Sequence, residues 1–581
     1  MRPLARAIPA HLEGPPLPPP RHRTLLDALD EAAASGVVLT FLDAAERETI
    51  VPWSELRLRA RRFAGGLVRL GIRRGDRVAL VLPTAPDFPV AFFGALLAGA
   101  VPVPLYPPLR LGRLAAYHQR TARMLTACGA RLLVSDRRIR RLLGAAVAGA
   151  RPALGCRTVE ELASGREHGG GAQPGDLALI QFSSGTTVDP KPVALRHAHV
   201  LANLAAIATY LGPDPVGVSW LPLYHDMGLI GCLLLAAAQP GPLTLIPPEH
   251  FLARPAIWLR AIARKRATVS PAPNFAFGLS LRRVRDADLA GLDLATWRLA
   301  LNGAEPIAAA VLRRFAARFA GHGFDPAALV PVYGLSEASL AVTFAPPGRP
   351  FRARSHGGRE VVSVGAPVPG VAVEIRGPSG EVVATGETGR IFVRGPAVME
   401  GYFGRPGATA EVLRDGWLDT GDLGFVEEGE LYVCGRAKEI VVLRGANHAP
   451  QRFEEALAPV EGVRPGCAVA FGFLPPDGEG EELAILFERN DGGAVADLEE
   501  RVRAAVVEAT GIRPVAAVAL APGTLPRTTS GKLQRGEARR LWLAGALEPP
   551  APVTPLRLAG ALLHSQLAFV RARLGAGPGE R

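Results

Sequence analysis

The sequence predicts an α/β protein, with a large N-terminal domain of α/β sheets plus a small β-barrel, followed by a smaller α+β C-terminal domain. From Leu25 to about Arg436, helical patterns alternate with short apolar runs, as in parallel sheets wrapped by helices. Between Val362 and Val433, short strand patterns separated by glycine turns indicate the barrel. After Gly435, apolar runs and amphipathic helical patterns indicate a further, smaller unit.

Taken in order, the elements divide the chain into four parts. Residues 1–24 are rich in proline and predict a flexible or draped arm. Residues 25–436 form the N-terminal domain and residues 437–545 the C-terminal domain. Residues 546–581 are interpreted as a stiff proline-rich linker and a helical tail. The candidate strands of the N-terminal domain include the apolar runs 78–83, 130–135, 177–182 and 243–247.

Length and composition exclude several classes of protein. The 581 residues, 48% of them hydrophobic, are too many for one compact domain. The longest apolar candidate, 227–246, is interrupted at 239–242, and a spanning helix needs about 20 apolar residues, so we expect no integral membrane span. The N-terminus lacks the apolar region of a secretory signal, and the five cysteines form no CxxC pair. These features predict a cytoplasmic protein with neither a disulfide framework nor a zinc site.

The net charge of +12 permits nucleic acid, membrane surfaces or acidic proteins as partners. Arginines spread over a solvated surface explain the charge more simply, and we expect no nucleic-acid partner. The stretch from Arg110 to Arg141 contains nine arginines, among them Arg113, and only one acidic residue, Asp136. They form a candidate surface for an acidic partner, with ion pairs elsewhere in the fold as the alternative.

Lysine usage marks candidate functional positions. Only four of the 66 basic residues are lysines: Lys191, Lys265, Lys438 and Lys532. A lysine carries a compact charge on a thin stem, whereas arginine carries a planar fork. A lysine retained in such a composition is therefore a candidate for a role that arginine cannot fill.

A candidate phosphate loop follows the apolar run 177–182. Small hydroxyl residues and glycine allow backbone N–H groups to approach phosphate oxygens, and Lys191 ends the loop with a charge. No Walker A pattern is present, and a loop of this composition is also compatible with an ordinary turn. The phosphate-binding candidates are Ser183, Ser184, Gly185, Thr186 and Thr187.

This loop resembles the phosphate-loop signature of the adenylate-forming superfamily, which includes acyl-CoA ligases, peptide-synthetase adenylation domains and luciferases. Two positions depart from that signature, because Val188 and Pro192 stand where glycine is usual. The resemblance extends over roughly residues 25–540, with further motifs in the family's order. One of them, Ser219 to Gly228, is similar to the segment that lines the acyl tunnel. Its His225-Asp-Met-Gly sequence resembles the fatty-acyl-AMP ligase branch, and His225 is a catalytic candidate.

The resemblance also implies an ATP site and a mobile C-terminal domain. Tyr333 would stack on adenine, Ser336 would touch phosphate and Glu337 would bind Mg²⁺. Lys438 would be the hinge, and Lys532 would bridge carboxylate and phosphate. The remaining implied nucleotide contacts are the adenine loop Asn302, Gly303, Ala304 and Glu305, the strand end Gly334, and the ribose contacts Asp422 and Arg436.

The activity implied is ATP-dependent activation of a fatty acid to acyl-AMP and pyrophosphate, followed by transfer of the acyl group to the phosphopantetheine thiol of a carrier protein. The fatty-acyl-AMP ligase branch usually carries a long insertion between the Tyr333-Gly334 signature and the start of the barrel. In this sequence only Leu340 to Val362 intervene. A long-chain acyl-CoA ligase is therefore the alternative. A second alternative, suggested by Val188 and Pro192, is a non-catalytic acyl-adenylate-binding scaffold.

Overall fold

The computed structural model describes residues 8–108, 111–183, 190–443, 446–475, 481–490, 497–528, 531–551 and 554–573. The N-terminal domain is built on a nine-stranded sheet whose six central strands are parallel. Antiparallel strands add to both edges of this core. In spatial order the strands are Ala366–Pro367, Ala341–Phe344, Leu329–Gly334, Leu299–Gly303, Val269–Pro273, Gly217–Ser219, Leu243–Leu245, Val38–Leu42 and Glu48–Pro52.

Two smaller sheets complete the α/β part. A parallel sheet contains Val101–Leu105, Arg77–Val81, Ala130–Ser135 and Cys156–Thr158. An antiparallel sheet contains Gly401–Tyr402, Pro192–Arg196 and Leu177–Phe182. The α-helices are Leu25–Ala34, Trp53–Leu70, Asp87–Leu97, Leu114–Ala127, Arg137–Arg140, Gly144–Ala150, Val159–Leu162, His197–Leu211, Asp226–Gly228, Leu235–Ala238, Pro248–Ala253, Ala256–Lys265, Asn274–Arg283, Ala309–Phe319 and Pro406–Val412.

The helix Trp53–Leu70 shows why these segments are helical. Its buried side chains recur every three to four residues, so one face packs against the core while arginines cover the other. The helix ends at Gly71, whose φ of 93° lies in the left-handed region that favours glycine. Short non-α turns are Leu111–Arg113, Asp286–Leu289, Ala320–His322, Pro326–Ala328, Ser336–Ala338 and Ala437–Glu439, and Leu229–Leu234 is a π-helical segment.

The segment predicted to form a small barrel builds a six-stranded antiparallel sheet. The N-terminal arm takes part, because His11–Glu13 pairs with Ala372–Arg376. Residues 8–24 thus lie against the domain, and the Leu25 N–H donates to Nδ1 of His197 at 3.1 Å. The other strands are Gly389–Arg394, Leu413–Arg414, Trp417–Glu427 and Glu430–Arg436, and Ala353–His356 forms a separate hairpin with Arg359–Val362.

The C-terminal domain has its own cores on both faces of a three-stranded sheet. One core centres on Phe453 and Phe487, and the other packs Trp542 against Phe471 and Phe473. Its strands are Val441–Leu443, Ala446–His448, Val463–Phe473, Glu482–Arg489 and Ala516–Leu520, and its helices are Pro450–Glu455, Leu498–Thr510 and Arg535–Leu543. A last helix, Pro555–Arg573, returns to the N-terminal domain.

The arginine-rich stretch is distributed over several elements. Three of its members form ion pairs, which are Arg131–Asp76, Arg137–Glu160 and Arg140–Glu161. The alternative of ion pairs elsewhere in the fold therefore applies to these three arginines. Throughout the described part of the chain, no helix combines the length and the apolar character needed to cross a membrane.

Candidate active site

Several residues that the motifs single out lie at the carboxyl ends of two central parallel strands. Asn302 and Gly303 end one strand, and Tyr333 and Gly334 end its neighbour. Glu305 follows the first of these strands, and Ser336 and Glu337 form a short turn after the second. Ligands of open α/β sheets bind at this edge because polar loops there surround a shared crevice.

Asp422 is the buried centre of a polar triad whose other members, Tyr333 and Arg436, are half-buried. The Tyr333 hydroxyl donates to Asp422 Oδ2 at 2.7 Å, and Arg436 Nε lies 3.0 Å from Oδ1. The antiparallel pairing of the last two barrel strands places Asp422 directly opposite Arg436. Burial and the negative charge of Asp422 raise the pKa of Tyr333 well above its ordinary value, while Asp422 raises the pKa of Arg436. A carboxylate held in this way presents two oxygens that match a vicinal diol.

Lys532 enters the N-terminal domain from the C-terminal domain. Its Nζ donates to the Ala304 carbonyl oxygen at 3.1 Å, in a cavity that Glu305 also lines. Glu305 Oε1 accepts a 2.6 Å hydrogen bond from the Phe275 N–H. Burial lowers the pKa of Lys532, and the charge of Arg436 lowers it further. The ammonium is thus placed at the strand ends, where the predicted reaction needs a positive charge.

His225 lines the same cavity and is held by its neighbour in the sequence. Its Nδ1 lies 2.7 Å from Asp226 Oδ1, which also accepts from the Met227 N–H at 2.7 Å. Asp226 Oδ2 accepts a hydrogen bond from the Ser336 hydroxyl. Burial acts to lower the pKa of His225, but the charge and hydrogen bond of Asp226 prevail and raise it. In this state of the molecule, Ser336 therefore orients Asp226.

Glu337 contacts a residue that the sequence interpretation missed. The Tyr402 hydroxyl donates to Glu337 Oε1 at 3.0 Å, and Lys191 Nζ lies 4.7 Å from the centroid of the Tyr402 ring. Burial raises the pKa of Glu337. Tyr402 lies more than sixty residues beyond Glu337 in the sequence, and no spacing signal connects them.

The donor set around Glu337 fits Mg²⁺ better than a transition metal. Among the described residues, no group of three or more histidine, cysteine, aspartate or glutamate side chains is arranged to hold a metal ion. Glu337 thus offers a hard oxygen ligand without an accompanying protein cage. Mg²⁺ is typically bound in this way, since it keeps several waters and bridges substrate phosphates.

Part of the phosphate-loop prediction lies outside the described residues, namely Ser184, Gly185, Thr186 and Thr187. The ends of the loop are described, and the Ser183 N–H donates to the Lys191 carbonyl oxygen at 3.0 Å. Lys438 lies in the turn Ala437–Glu439, which connects the last barrel strand to the C-terminal domain. Next to it, Glu439 Oε2 accepts a 2.5 Å hydrogen bond from Arg535, which follows Lys532 in the last motif.

Apolar space adjoins the reactive groups. Trp220, Met227 and Phe275 line the cavity of Lys532, and Trp220 stacks on Phe251 with ring centroids 4.0 Å apart. A second and mostly apolar cavity lies along the paired parallel strands Gly217–Ser219 and Val269–Pro273. Its lining includes Val218, Cys232, Leu235, Leu243, Val269 and Pro271. Such surroundings suit a hydrocarbon chain, because burial of apolar surface is favourable.

Known proteins resemble this chain over most of its length. The AMP-binding enzyme family model matches residues 30–403. A putative acyl-CoA synthetase of Caulobacter vibrioides is 36% identical over 553 residues, covering 90% of this chain and 96% of that protein. The long-chain-fatty-acid–AMP ligase FadD26 of Mycobacterium marinum is 33% identical over 542 residues, covering 83% of this chain and 90% of that protein.

Solved structures show the same fold. One from a study of fatty acyl-adenylate ligases from E. coli and L. pneumophila is 33% identical, with a TM-score of 0.85. The match covers 91% of this chain and 99% of that chain. The predicted architecture of a large N-terminal and a smaller C-terminal domain is thereby confirmed. With its family model matched over residues 30–403 and these relatives aligned nearly from end to end, the chain belongs to the AMP-binding enzyme family.

Proposed function

We propose that this protein is a fatty-acyl-AMP ligase. It would join a fatty acid to AMP with ATP as the co-substrate and then pass the acyl group to a thiol. The observation that carries the proposal is the meeting of Lys532 with Glu305 and His225 in one cavity, next to the Asp422–Arg436 pair. The fatty-acid–AMP ligase names of similar proteins support the same assignment.

In the adenylation step, a carboxylate oxygen of the fatty acid attacks the α-phosphorus of ATP. A new P–O bond forms, the bond to the β-phosphate oxygen breaks, and pyrophosphate leaves. Two anions must approach each other, so positive charge held in place lowers the barrier. In this proposal Lys532 lies between carboxylate and α-phosphate, and Lys191 lies by the leaving phosphates. Mg²⁺, bound through Glu337, would add to this charge neutralisation.

The nucleotide would be held by groups around the triad. Asp422 and Arg436 would bind the ribose hydroxyls, and Tyr333 would stack on adenine while its hydroxyl keeps Asp422 in place. The loop formed by Asn302, Gly303, Ala304 and Glu305 would pack against the base, and the strand end Gly334 allows close approach of the backbone. Ser183 to Thr187 would bind the phosphates. His225 would border the reacting carboxylate from the side of the acyl cavity.

For the second step we propose the phosphopantetheine thiol of a carrier protein as the acceptor. The thiol would attack the acyl carbon of acyl-AMP, and AMP would leave. The competing candidate is CoA, which is favoured by the short segment from Leu340 to Val362 and by the Caulobacter relative.

The five cysteines are all free, which supports a reducing cytoplasmic location.

A panel of fatty acids tests the proposal. The protein is mixed with ATP, Mg²⁺ and each acid, and pyrophosphate and acyl-AMP are measured with no acceptor, with CoA or with a holo carrier protein. The proposal expects acyl-AMP without acceptor and faster turnover with the carrier. Faster turnover with CoA would identify an acyl-CoA ligase. If the protein bound acyl-AMP but released no pyrophosphate with any acid, the non-catalytic acyl-adenylate-binding scaffold would be the remaining candidate.

A further inference from the structure

The C-terminal domain also contacts the N-terminal domain at Arg113, a residue outside the turn Ala437–Glu439 that connects the two domains. After the helix Arg535–Leu543, residues 548–551 cross the turn Leu111–Arg113. There the Arg113 guanidinium donates to the Thr524 carbonyl oxygen at 2.8 Å and to those of Gly523 and Glu548 at 3.3 Å. One N-terminal side chain therefore binds both a loop of the C-terminal domain and the segment that leaves this domain.

The final helix, Pro555–Arg573, then docks on the N-terminal domain. The Ser565 side chain is fully buried, and its Oγ accepts a 2.8 Å hydrogen bond from the Gly144 N–H. Phe569 packs against the core formed around Tyr117, and the Arg140 guanidinium lies 5.9 Å from the centroid of its ring. A buried polar anchor and a packed aromatic ring distinguish this contact from a loosely attached tail.

The loop that Arg113 contacts, at Gly523 and Thr524, lies shortly before Lys532 in the sequence. The Leu525 N–H donates to the buried Glu488 carboxylate at 3.0 Å, which ties the loop to the sheet of its own domain. Farther along, the Thr528 N–H donates to the Lys532 carbonyl oxygen at 2.6 Å. Thr524 and Lys532 thus belong to one stretch of chain that is tied to the C-terminal sheet at Leu525.

We propose that Arg113 and the helix Pro555–Arg573 form a clamp that holds the C-terminal domain where Lys532 reaches the active site. Arg113 is thus a positioning residue for adenylation. Transfer to a thiol, which in the proposed function requires rotation about Lys438, requires the clamp to open. This inference rests on the proposed function for its catalytic consequence, whereas the docking of the helix is independent of any activity.

Two variants open the clamp from different sides. Arg113→Gln removes the charged donors. Gly144→Ala places a methyl group about where the Ser565 carbonyl oxygen lies, since a Cβ there would be only 1.9 Å from that atom. The matched control is Gly560→Ala in the same final helix, because a Cβ at Gly560 meets nothing within 4 Å.

Each protein is measured in three ways: hydrogen exchange of residues 555–573, pyrophosphate release with ATP and fatty acid, and thiol acylation from supplied acyl-AMP. In both variants we expect faster exchange and slower adenylation. For Arg113→Gln the adenylation rate should fall by about ten-fold, the factor for losing one charge-assisted hydrogen bond. Thiol acylation from acyl-AMP should be unchanged or faster, Arg113→Lys should restore part of the adenylation rate, and Gly560→Ala should match the wild type.

Wild-type exchange in the Gly144→Ala variant would overturn the clamp. Equal losses in both half-reactions would reduce Arg113 to a structural residue and overturn its positioning role. If the wild type released no pyrophosphate while the variants still lost exchange protection, the proposed function would fail and the clamp would stand.

Discussion

Lys532 of the C-terminal domain donates a 3.1 Å hydrogen bond to the Ala304 carbonyl oxygen of the N-terminal domain. The contact brings together two residues that are 228 positions apart in the sequence. It places the Lys532 ammonium close enough to interact electrostatically with Arg436 and Asp422, which form a triad with Tyr333. In the proposed function this is the arrangement that adenylation uses, and the roles of the two sets of residues are separable by experiment.

Asp422 is expected to serve ATP binding. Asp422→Asn removes the charge that pairs with Arg436, so the KM for ATP should rise by about ten-fold to a hundred-fold, the range for a lost charge-assisted hydrogen bond. The KM for the fatty acid should change little. Steady-state kinetics measure both constants. The control is Asp419→Asn. Asp419 lies on the same strand as Asp422 but pairs with Arg390 instead of Arg436. Equal effects on both substrates would contradict the ribose assignment.

Glu337 is expected to bind Mg²⁺ with support from Tyr402. Tyr402→Phe removes the hydroxyl that orients the carboxylate, and should raise the Mg²⁺ concentration for half-maximal activity by about ten-fold. Glu337→Gln should raise it further, because a hard anionic ligand is lost. Mg²⁺ titrations of pyrophosphate release test both changes, with the exposed Glu508→Gln as the control. Identical titration curves for Glu337→Gln and the wild type would remove Glu337 from the metal site.

Motifs indicate candidate site residues where one residue type in a fixed sequence context carries the chemistry. Glu337, Asp422 and Lys532 were predicted in this way, and the structure brings them to one edge of the sheet. Tyr402 and Arg113 could not be predicted, because each acts through a long-range contact that no local spacing encodes.

The fold was predictable for a related reason. Alternating helices and apolar runs indicate parallel sheets, whereas the order of strands in the nine-stranded sheet depends on long-range pairing. Pairing of His11–Glu13 with a barrel strand has the same long-range origin. Arg131, Arg137 and Arg140 pair with acidic residues outside the basic stretch, and no local sequence pattern indicates these pairs. Counting charges within the stretch therefore overstated its unpaired positive charge.

His197 makes stability depend on pH. Burial lowers its pKa to about 4, while the unfolded chain has the ordinary value of about 6.5. The unfolded state binds more protons between these values, so stability should fall as pH drops through this window, by about 1.4 kcal/mol per unit and about 3 kcal/mol in total. Urea unfolding at pH 7.5 and 4.5 measures the loss. His197→Gln should remove this part of it, and the control His250→Gln should not. An equal loss in His197→Gln would contradict the assignment.

Lys532 should give adenylation an alkaline limit. Burial lowers its pKa, and only the charged ammonium can neutralise the reacting anions. The kcat/KM for adenylation should therefore fall as pH rises through a value below the ordinary lysine pKa of about 10.4. Lys532→Arg keeps its charge throughout this range, so the slower variant should lack the alkaline limit. The same limit in wild type and Lys532→Arg would assign the titration to another group.

The most direct test of the proposed ligase is the formation of acyl-AMP by Lys532→Ala, with Lys265→Ala as the matched control. Lys265 pairs with Glu48 at 2.6 Å and neither residue lines the cavity of Lys532, so its loss removes a lysine without touching that cavity. Mass spectrometry of acyl-AMP and a pyrophosphate assay are run side by side on each protein. Wild type and Lys265→Ala should form the two products one for one. Lys532→Ala should be slower by roughly 10²–10³-fold, yet still transfer acyl from supplied acyl-AMP. Acyl-AMP formation by Lys532→Ala at the wild-type rate would contradict the account.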